Sequence, residues 1–245
     1  MRKTLLAAAL GLAMTSALPA LDLAVHSGYT SFSLSELNRS NAWLVGYEAN
    51  PYAGAVKSGV VVGADLTVPF NAWLKAGLRT EMMQSNRAET KSNVHGTAGV
   101  QSPPDTCFTD QAGLSTLLVG GSSDFPTDIK GLDLGLGAWV GVGYATLQQH
   151  VTLNTSSRPY EDGLYMGSLP VAEVESSVSY GLGQHIRLNF TGGWRWADAP
   201  ALYDDTHQPF YGNGAYWINN GSSGLGAANL DYGGVTAQGS VSYGF

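Results

Sequence analysis

The sequence predicts an all-β protein: an antiparallel up-and-down transmembrane β-barrel of about eight strands, the smallest size such barrels take. Three observations carry this prediction. Apolar residues recur at every second position through most of the chain, the connections between these runs alternate short and long, and the composition suits a protein whose outer face meets lipid.

Charged residues make up 13% of the 245-residue chain, against about 25% in ordinary soluble domains. Glycine is abundant at 32 residues, and aromatics reach 10%. After the N-terminal segment no apolar run approaches the roughly 20 residues that a membrane-spanning helix needs. Low charge without a helical span is unusual for a cytoplasmic enzyme and natural for a sheet closed in lipid.

The N-terminus reads as an export address. Arg2 and Lys3 form a short positive region, Leu5 to Met14 an apolar stretch, and Thr15 to Ala20 a run of small residues with a proline. That is the layout of a secretory signal peptide, with an apolar stretch too short to span a bilayer. The expected division is a signal peptide over residues 1–20 and a barrel over 21–245. Cleavage after Ala17 also fits, but strand-like alternation starts directly after Ala20. Without Arg2 and Lys3 the chain keeps 12 − 2 = 10 basic residues against 19 acidic ones, a formal charge of −9. Nucleic acid is excluded as a partner on that balance, because its binding rests on Lys and Arg neutralising phosphates. Cys107, the single cysteine, has no internal partner for a disulfide, so the fold must be stabilised otherwise.

Alternation with period two marks strands with two chemically different faces. The clearest run is Gly131 to Thr146, where Leu132, Leu134, Leu136, Ala138, Val140, Val142 and Tyr144 share one face. The other face is mostly glycine, with Asp133 and Trp139, which predicts a crowded interior rather than a solvated surface. Similar runs cover Val60 to Phe70, Leu74 to Glu81, Glu173 to Leu182, Ile186 to Arg195 and Val235 to Phe245. Two weaker strands, Leu23 to Ser33 and Ala112 to Gly121, complete the set. Ten strands result if Val94 to Gln101 adds a further hairpin.

Short links are predicted at Phe70–Trp73, Ser122–Lys130 and Gly181–His185. Long links are predicted at Leu34–Lys57, Ser85–Gln111, Gln149–Pro170 and Ala197–Leu230. Membrane barrels have short periplasmic turns, longer outer loops and an even strand number, and a soluble sandwich has no reason to sort its loops this way. Phe70, Trp73, Tyr243 and Phe245 then fall at periplasmic ends, with Tyr144, Trp194 and Trp196 toward the outer ends, as interfacial girdles require.

With its signal peptide, its alternating strands and its terminal Val241-Ser242-Tyr243-Gly244-Phe245, the chain resembles the small bacterial outer-membrane barrels of the OmpA, OmpX and OmpW type. The resemblance spans nearly the whole mature chain and identifies an architecture, not one protein. It implies residence in the outer membrane among its lipids, and it makes Tyr243 and Phe245 the signal read by the barrel-assembly machinery. Physics points the same way, since a sheet crosses lipid only when closure satisfies every backbone group.

The face predicted to line the lumen carries Asp65, Glu81, Asp133, Glu173 and Glu175 against Lys75, Arg79, Arg187 and Arg195, with His26 and His185 as candidate members. Buried charges must be paired, so these residues read as an ion-pair network filling a narrow interior. Eight strands leave room for little more than side chains. The near balance of sign favours that reading over a selective pore, which concentrates one sign. A third class, a lipid-modifying enzyme, finds little support. His150, Ser156, Ser157 and Glu161 fall along one long link without a nucleophile-base spacing, and no Gly-x-Ser-x-Gly elbow occurs. Asp204, Asp205 and His207 lack calcium-loop spacing. Neither a metal nor a cofactor is therefore expected. Tyr203, Phe210, Tyr211, Tyr216 and Trp217 make the fourth long link aromatic, suited either to gripping a surface ligand or to folding over the barrel mouth. The sequence leads to a structural or surface-interaction protein with a filled lumen. A small porin is the alternative, and a secreted soluble barrel with its apolar faces turned inward stands further off.

Overall fold

Eight strands close into a single antiparallel barrel in which each strand pairs with its sequence neighbour among the staves and the last pairs with the first. The computed structural model describes residues 21–46, 54–71, 73–92, 106–153, 159–210 and 229–245. The signal-peptide segment, Val94 to Gln101, and Tyr211, Tyr216 and Trp217 lie outside the described residues. The staves are β1 (Asp22–Ser31), β2 (Ser58–Pro69), β3 (Leu74–Ser85), β5 (Thr106–Pro126), β6 (Leu132–Leu153), β7 (Pro159–Gly181), β8 (Ile186–Trp196) and β11 (Gly234–Gly244). Strand β4 (Ala88–Ser92) adds to β5 beyond the end of β3, and the short β9 (Asp198–Ala199) and β10 (Leu230–Asp231) pair with each other.

Closure is visible in the register. Asp22 faces Gly244 across β1 and β11, and Leu74 faces Ser123 across β3 and β5. Short turns at Phe70–Trp73, Asp128–Gly131 and Leu182–His185 join the staves at one end, where both described termini also lie. Gly131, with φ of 81°, takes the left-handed conformation that closes the middle turn. The long connections all leave the other end, here called the loop end.

The alternation sorts side chains as the period-two reading predicts. Val25, Val60, Val62, Leu78, Leu117, Leu136, Val140, Val174, Phe190 and Val241 all stand exposed on the outer wall. Between Leu23 and Tyr29 on β1, and at the matching heights of the other seven staves, no Asp, Glu, Lys or Arg occupies an outward position. In water so large an apolar surface would drive association. In lipid it is the required exterior. Phe70, Trp73, Phe125, Tyr180, Tyr243 and Phe245 ring the turn end, and Tyr29, Tyr144, Trp194 and Trp196 ring the wall toward the loop end, all exposed. A soluble barrel with these apolar faces turned inward is contradicted by this arrangement.

Several expected loops are built differently. Leu34–Lys57 contains a helix, α1 (Ser35–Gly46), entered through Leu34, whose φ of 37° turns the chain while its side chain is fully buried. Asn38 ties α1 to the incoming β2 by a reciprocal pair of 2.9 Å hydrogen bonds with the Val56 backbone. Ser85–Gln111 contains β4 and the first residues of β5, and Gln149–Pro170 is largely the continuation of β6 and β7. The 22 residues of β6 span roughly 70 Å along the strand, or about 55 Å of height at a tilt near 40°, some twice an apolar band about 25 Å tall. Half of that hairpin therefore stands clear of lipid. Above the membrane it gains an apolar core of its own, with Phe32, Leu34, Leu37, Val56, Leu147, Leu202, Phe210, Leu230 and Tyr232 all buried. In this extension the alternation reverses its chemistry, with Ala145, Leu147 and Val151 buried and Gln148 exposed, so the pattern of apolar outward positions ends near Tyr144.

Cys107 lies on this protruding part, opposite Lys91. Burial and the nearby Glu89 carboxylate, 3.2 Å from its Sγ, push its thiol up to about 11. At pH 8 the thiolate fraction then falls about two hundredfold below that of a free thiol, and the greater nucleophilicity of the more basic thiolate restores about tenfold. Alkylation is expected to run roughly fifteen- to twentyfold slower than for a free thiol, and Glu89→Gln to recover part of the rate.

Candidate functional site

The charged lumen is arranged in two layers. In the central layer Arg79 of β3 is gripped from both sides. Its Nε and Nη2 donate to the Asp65 carboxylate on β2 at 2.8 and 3.0 Å, and its Nη1 and Nη2 donate to Glu175 on β7 at 2.6 and 3.0 Å. The guanidinium carbon stands 4.2 Å from the ring centroid of Trp139, whose Nε1 donates to Glu175 at 2.9 Å. Forked arginine–carboxylate pairs of this kind are the strongest polar contacts available in a protein interior. Arg195 of β8, fully buried, donates to Glu173 at 2.5 Å, to Thr30 at 3.0 Å and to Glu81 at 3.3 Å. Gln238 of β11 completes Glu81 with a 2.9 Å bond. Six staves thus meet in one network, and Trp139 adds a seventh.

His26 of β1 lies in the same layer, its ring nitrogens 3.7 Å from Asp65 and 3.3 Å from Glu81, neither aligned as a hydrogen bond. It fits because Gly63 across the ladder has no side chain, and a Cβ there would overlap the imidazole and the Thr80 carbonyl. Gly137 serves Glu175 likewise, since a Cβ would come within 2.6 Å of its Oε1. The glycine face of β6 is therefore crowded, by Ser177 at Gly135, by Glu175 at Gly137, by the β5 backbone at Gly141 and by Leu114 and Val171 at Gly143. Gly63→Val is expected to destabilise the folded barrel by about 1–3 kcal/mol through overpacking, read from denaturant unfolding in lipid vesicles.

The second layer sits at the turn end. Lys75 reaches Asp22 at 3.0 Å and Asp124 at 3.1 Å, and Arg187 pairs with Asp133 and, at 3.5 Å, with Asp124. The nine charged residues expected in the lumen therefore divide, with Asp65, Arg79, Glu81, Glu173, Glu175 and Arg195 in the centre and Lys75, Asp133 and Arg187 below. Asp22 and Asp124 were missed, and with them the near balance of sign fails. Among the described residues the two layers hold seven carboxylates against four Lys and Arg. His185 does not join them: it is exposed in the turn, bonded to the Gly244 carbonyl at 2.9 Å and stacked on Tyr243. Tyr243 and Phe245 face outward in edge contact, 4.8 Å between centroids.

Above the central layer the lumen turns apolar, filled by Val61, Met83, Leu114, Leu118, Leu169 and Val171, all buried. The residues weighed for other chemistry scatter. Asp204 spends its carboxylate on its own turn, accepting from Thr206 N and Oγ1 at 2.9 Å and Gln208 N at 2.7 Å, while Asp205 and His207 are exposed. These hydrogen bonds hold the Asp204 carboxyl below the usual range. Phe210 is buried against Tyr165 at 5.0 Å rather than presented to a ligand, whereas Tyr203 is exposed. His150 is half-buried on β6 and Glu161 lies on β7, while Ser156 and Ser157 fall outside the described residues.

No family model and no curated protein matches the chain. Among solved structures it is similar to the outer membrane protease OmpT of Escherichia coli, with 7% identity, 92% of this chain and 97% of that one covered, and a TM-score of 0.47. It is also similar to Neisserial surface protein A, at 12% identity, 92% and 97% coverage and a TM-score of 0.42. A third is the outer membrane protein OprG of Pseudomonas aeruginosa, at 14% identity, 93% and 97% coverage and a TM-score of 0.39. The closed antiparallel barrel with an uncharged, apolar outer wall is the architecture of the small bacterial outer-membrane barrels.

Proposed function

We propose that the chain is exported, inserts in the bacterial outer membrane and serves there as a sealed barrel that mounts a rigid head for surface interaction. The observation that carries this reading is the central layer, where side chains from opposite walls meet within hydrogen-bonding distance across the lumen. Above that layer Val61, Met83, Leu114, Leu169 and Val171 fill the lumen before buried polar residues, Ser85, Thr90 and Asp110, resume toward the loop end. In this reading the turn end faces the periplasm, the outer wall contacts membrane lipids, and Tyr243 and Phe245 are presented to the barrel-assembly machinery. The head built from α1, β4 and the extended β5–β7 strands carries the ligand- or partner-binding surface. Reconstituted into liposomes, the refolded protein is expected to leave them tight to small sugars in a swelling assay. Swelling that scales with protein content would overturn the sealed-barrel reading.

A small cation-preferring pore is the second reading. Its support is the excess of carboxylates over arginine and lysine in the two layers, since a lining of one sign selects the opposite ion.

A further inference from the structure

Six of the nine Lys and Arg in the described residues have a carboxylate within 4.0 Å. Arg39 pairs with Glu36, Lys91 with Glu89, and Lys75, Arg79, Arg187 and Arg195 with the lumen acids. Lys57, Arg87 and Lys130 have none, and all three are exposed. Lys130 is alone in a turn. Lys57 and Arg87 stand together at the loop end of β2 and β3. Val60 faces Gln84 in the register, and the ladder runs one step past the strands through the Asn86 amide, which donates to the Ser58 carbonyl at 2.9 Å. Lys57 and Arg87 are the next residues on the two chains.

Their height decides what they meet. Val60, 63% exposed, is the last large apolar residue of β2 on the outer wall, and it lies beside Tyr29 of the aromatic girdle. Three residues farther along a tilted strand is a rise of about 8 Å, which places both cations in or at the edge of the headgroup layer, itself about 5–8 Å thick. Long basic side chains reach from such positions to headgroups with their stems along the wall. The Arg87 Nε donates to Gln111 at 3.4 Å, and its terminal nitrogens have no acceptor among the described residues. Gln84 and Asn86 are exposed alongside and add uncharged donors. The nearest acid on β4, Glu89, is already engaged by Lys91 and Cys107, both at 3.2 Å.

We propose that Lys57 and Arg87 form a docking site for the phosphate of an anionic lipid in the leaflet at the loop end. The site rests on the membrane reading above. It is a concentrated positive pair on an acidic chain, at a level where the surrounding medium itself carries phosphate.

The test uses the full chain refolded in zwitterionic detergent micelles, with heat-resistant gel mobility as the measure of folding. A bis-phosphorylated glycolipid and its dephosphorylated counterpart are then titrated and binding is read by native mass spectrometry. The phosphorylated lipid is expected to bind selectively. The Lys57→Gln/Arg87→Gln double variant should bind about thirtyfold more weakly, from roughly fivefold per basic residue near a membrane surface. Arg87→Lys should retain most of the affinity, and Lys130→Gln should match the unaltered protein. Equal binding by the double variant would overturn the proposal. So would full competition by inorganic phosphate at the lipid's own concentration, which would mark a free-anion site. A chain that never gains heat-resistant mobility would instead overturn the membrane reading beneath it.

Discussion

Replacing Arg195 with methionine is expected to lower the unfolding free energy of the barrel by about 3–5 kcal/mol. The guanidinium is fully buried, it holds two nearly inaccessible carboxylates, Glu81 and Glu173, and it also donates to Thr30. Methionine matches much of the volume, so the loss comes from leaving those acids without their counter-charge rather than from a cavity. Adding Glu173→Gln to Arg195→Met removes one of the stranded charges, and the double variant should be more stable than the single one. Denaturant unfolding in lipid vesicles, followed by tryptophan fluorescence, reads both. A loss under about 1 kcal/mol would mean that Arg195 behaves as a solvated surface charge, contrary to its position in the lumen.

Phe190→Arg is expected to cost about 2–4 kcal/mol in the same assay. Phe190 is central on β8, 68% exposed on the outer wall, and flanked on β7 and β11 by Val178 and Gly239. In lipid an arginine there must drag its charge or its hydration into hydrocarbon. Leu182→Arg, at an exposed turn-end position, should cost roughly 0–1 kcal/mol, because substitutions near the interface are tolerated. Equal costs at the two positions would show that the outer wall is not embedded at the height assigned here.

Much of this arrangement was legible because lipid outside and charge inside impose opposite chemistry on alternate residues. Asp65, Arg79 and Glu175 could be assigned to one lumen from their parity alone. Asp22 and Asp124 obey the same parity, being in phase with His26 on β1 and with Leu118 on β5, and were missed only because those two strands were drawn too short. His185 was wrongly drawn inward because the parity of β8 does not extend into its preceding turn. The division into two layers was not legible at all, since it depends on stagger around the barrel, which a linear pattern does not contain. Trp139 stood out on its glycine-rich face, but its stacking on Arg79 joins β6 to β3 across the closed barrel. The head's apolar core was invisible for a related reason: Leu37, Leu147, Leu202 and Tyr232 come from four separate segments that only closure brings together.

A lumen sealed at the level of Arg79 and Arg195 carries no ionic current, which a recording across a planar bilayer reads. The refolded protein should insert and stay silent over a range of voltages, while insertion is verified independently by the heat-resistant mobility of the recovered protein. Discrete, reproducible conductance steps from the unaltered chain would contradict the account and make the carboxylate-rich interior the lining of a pore.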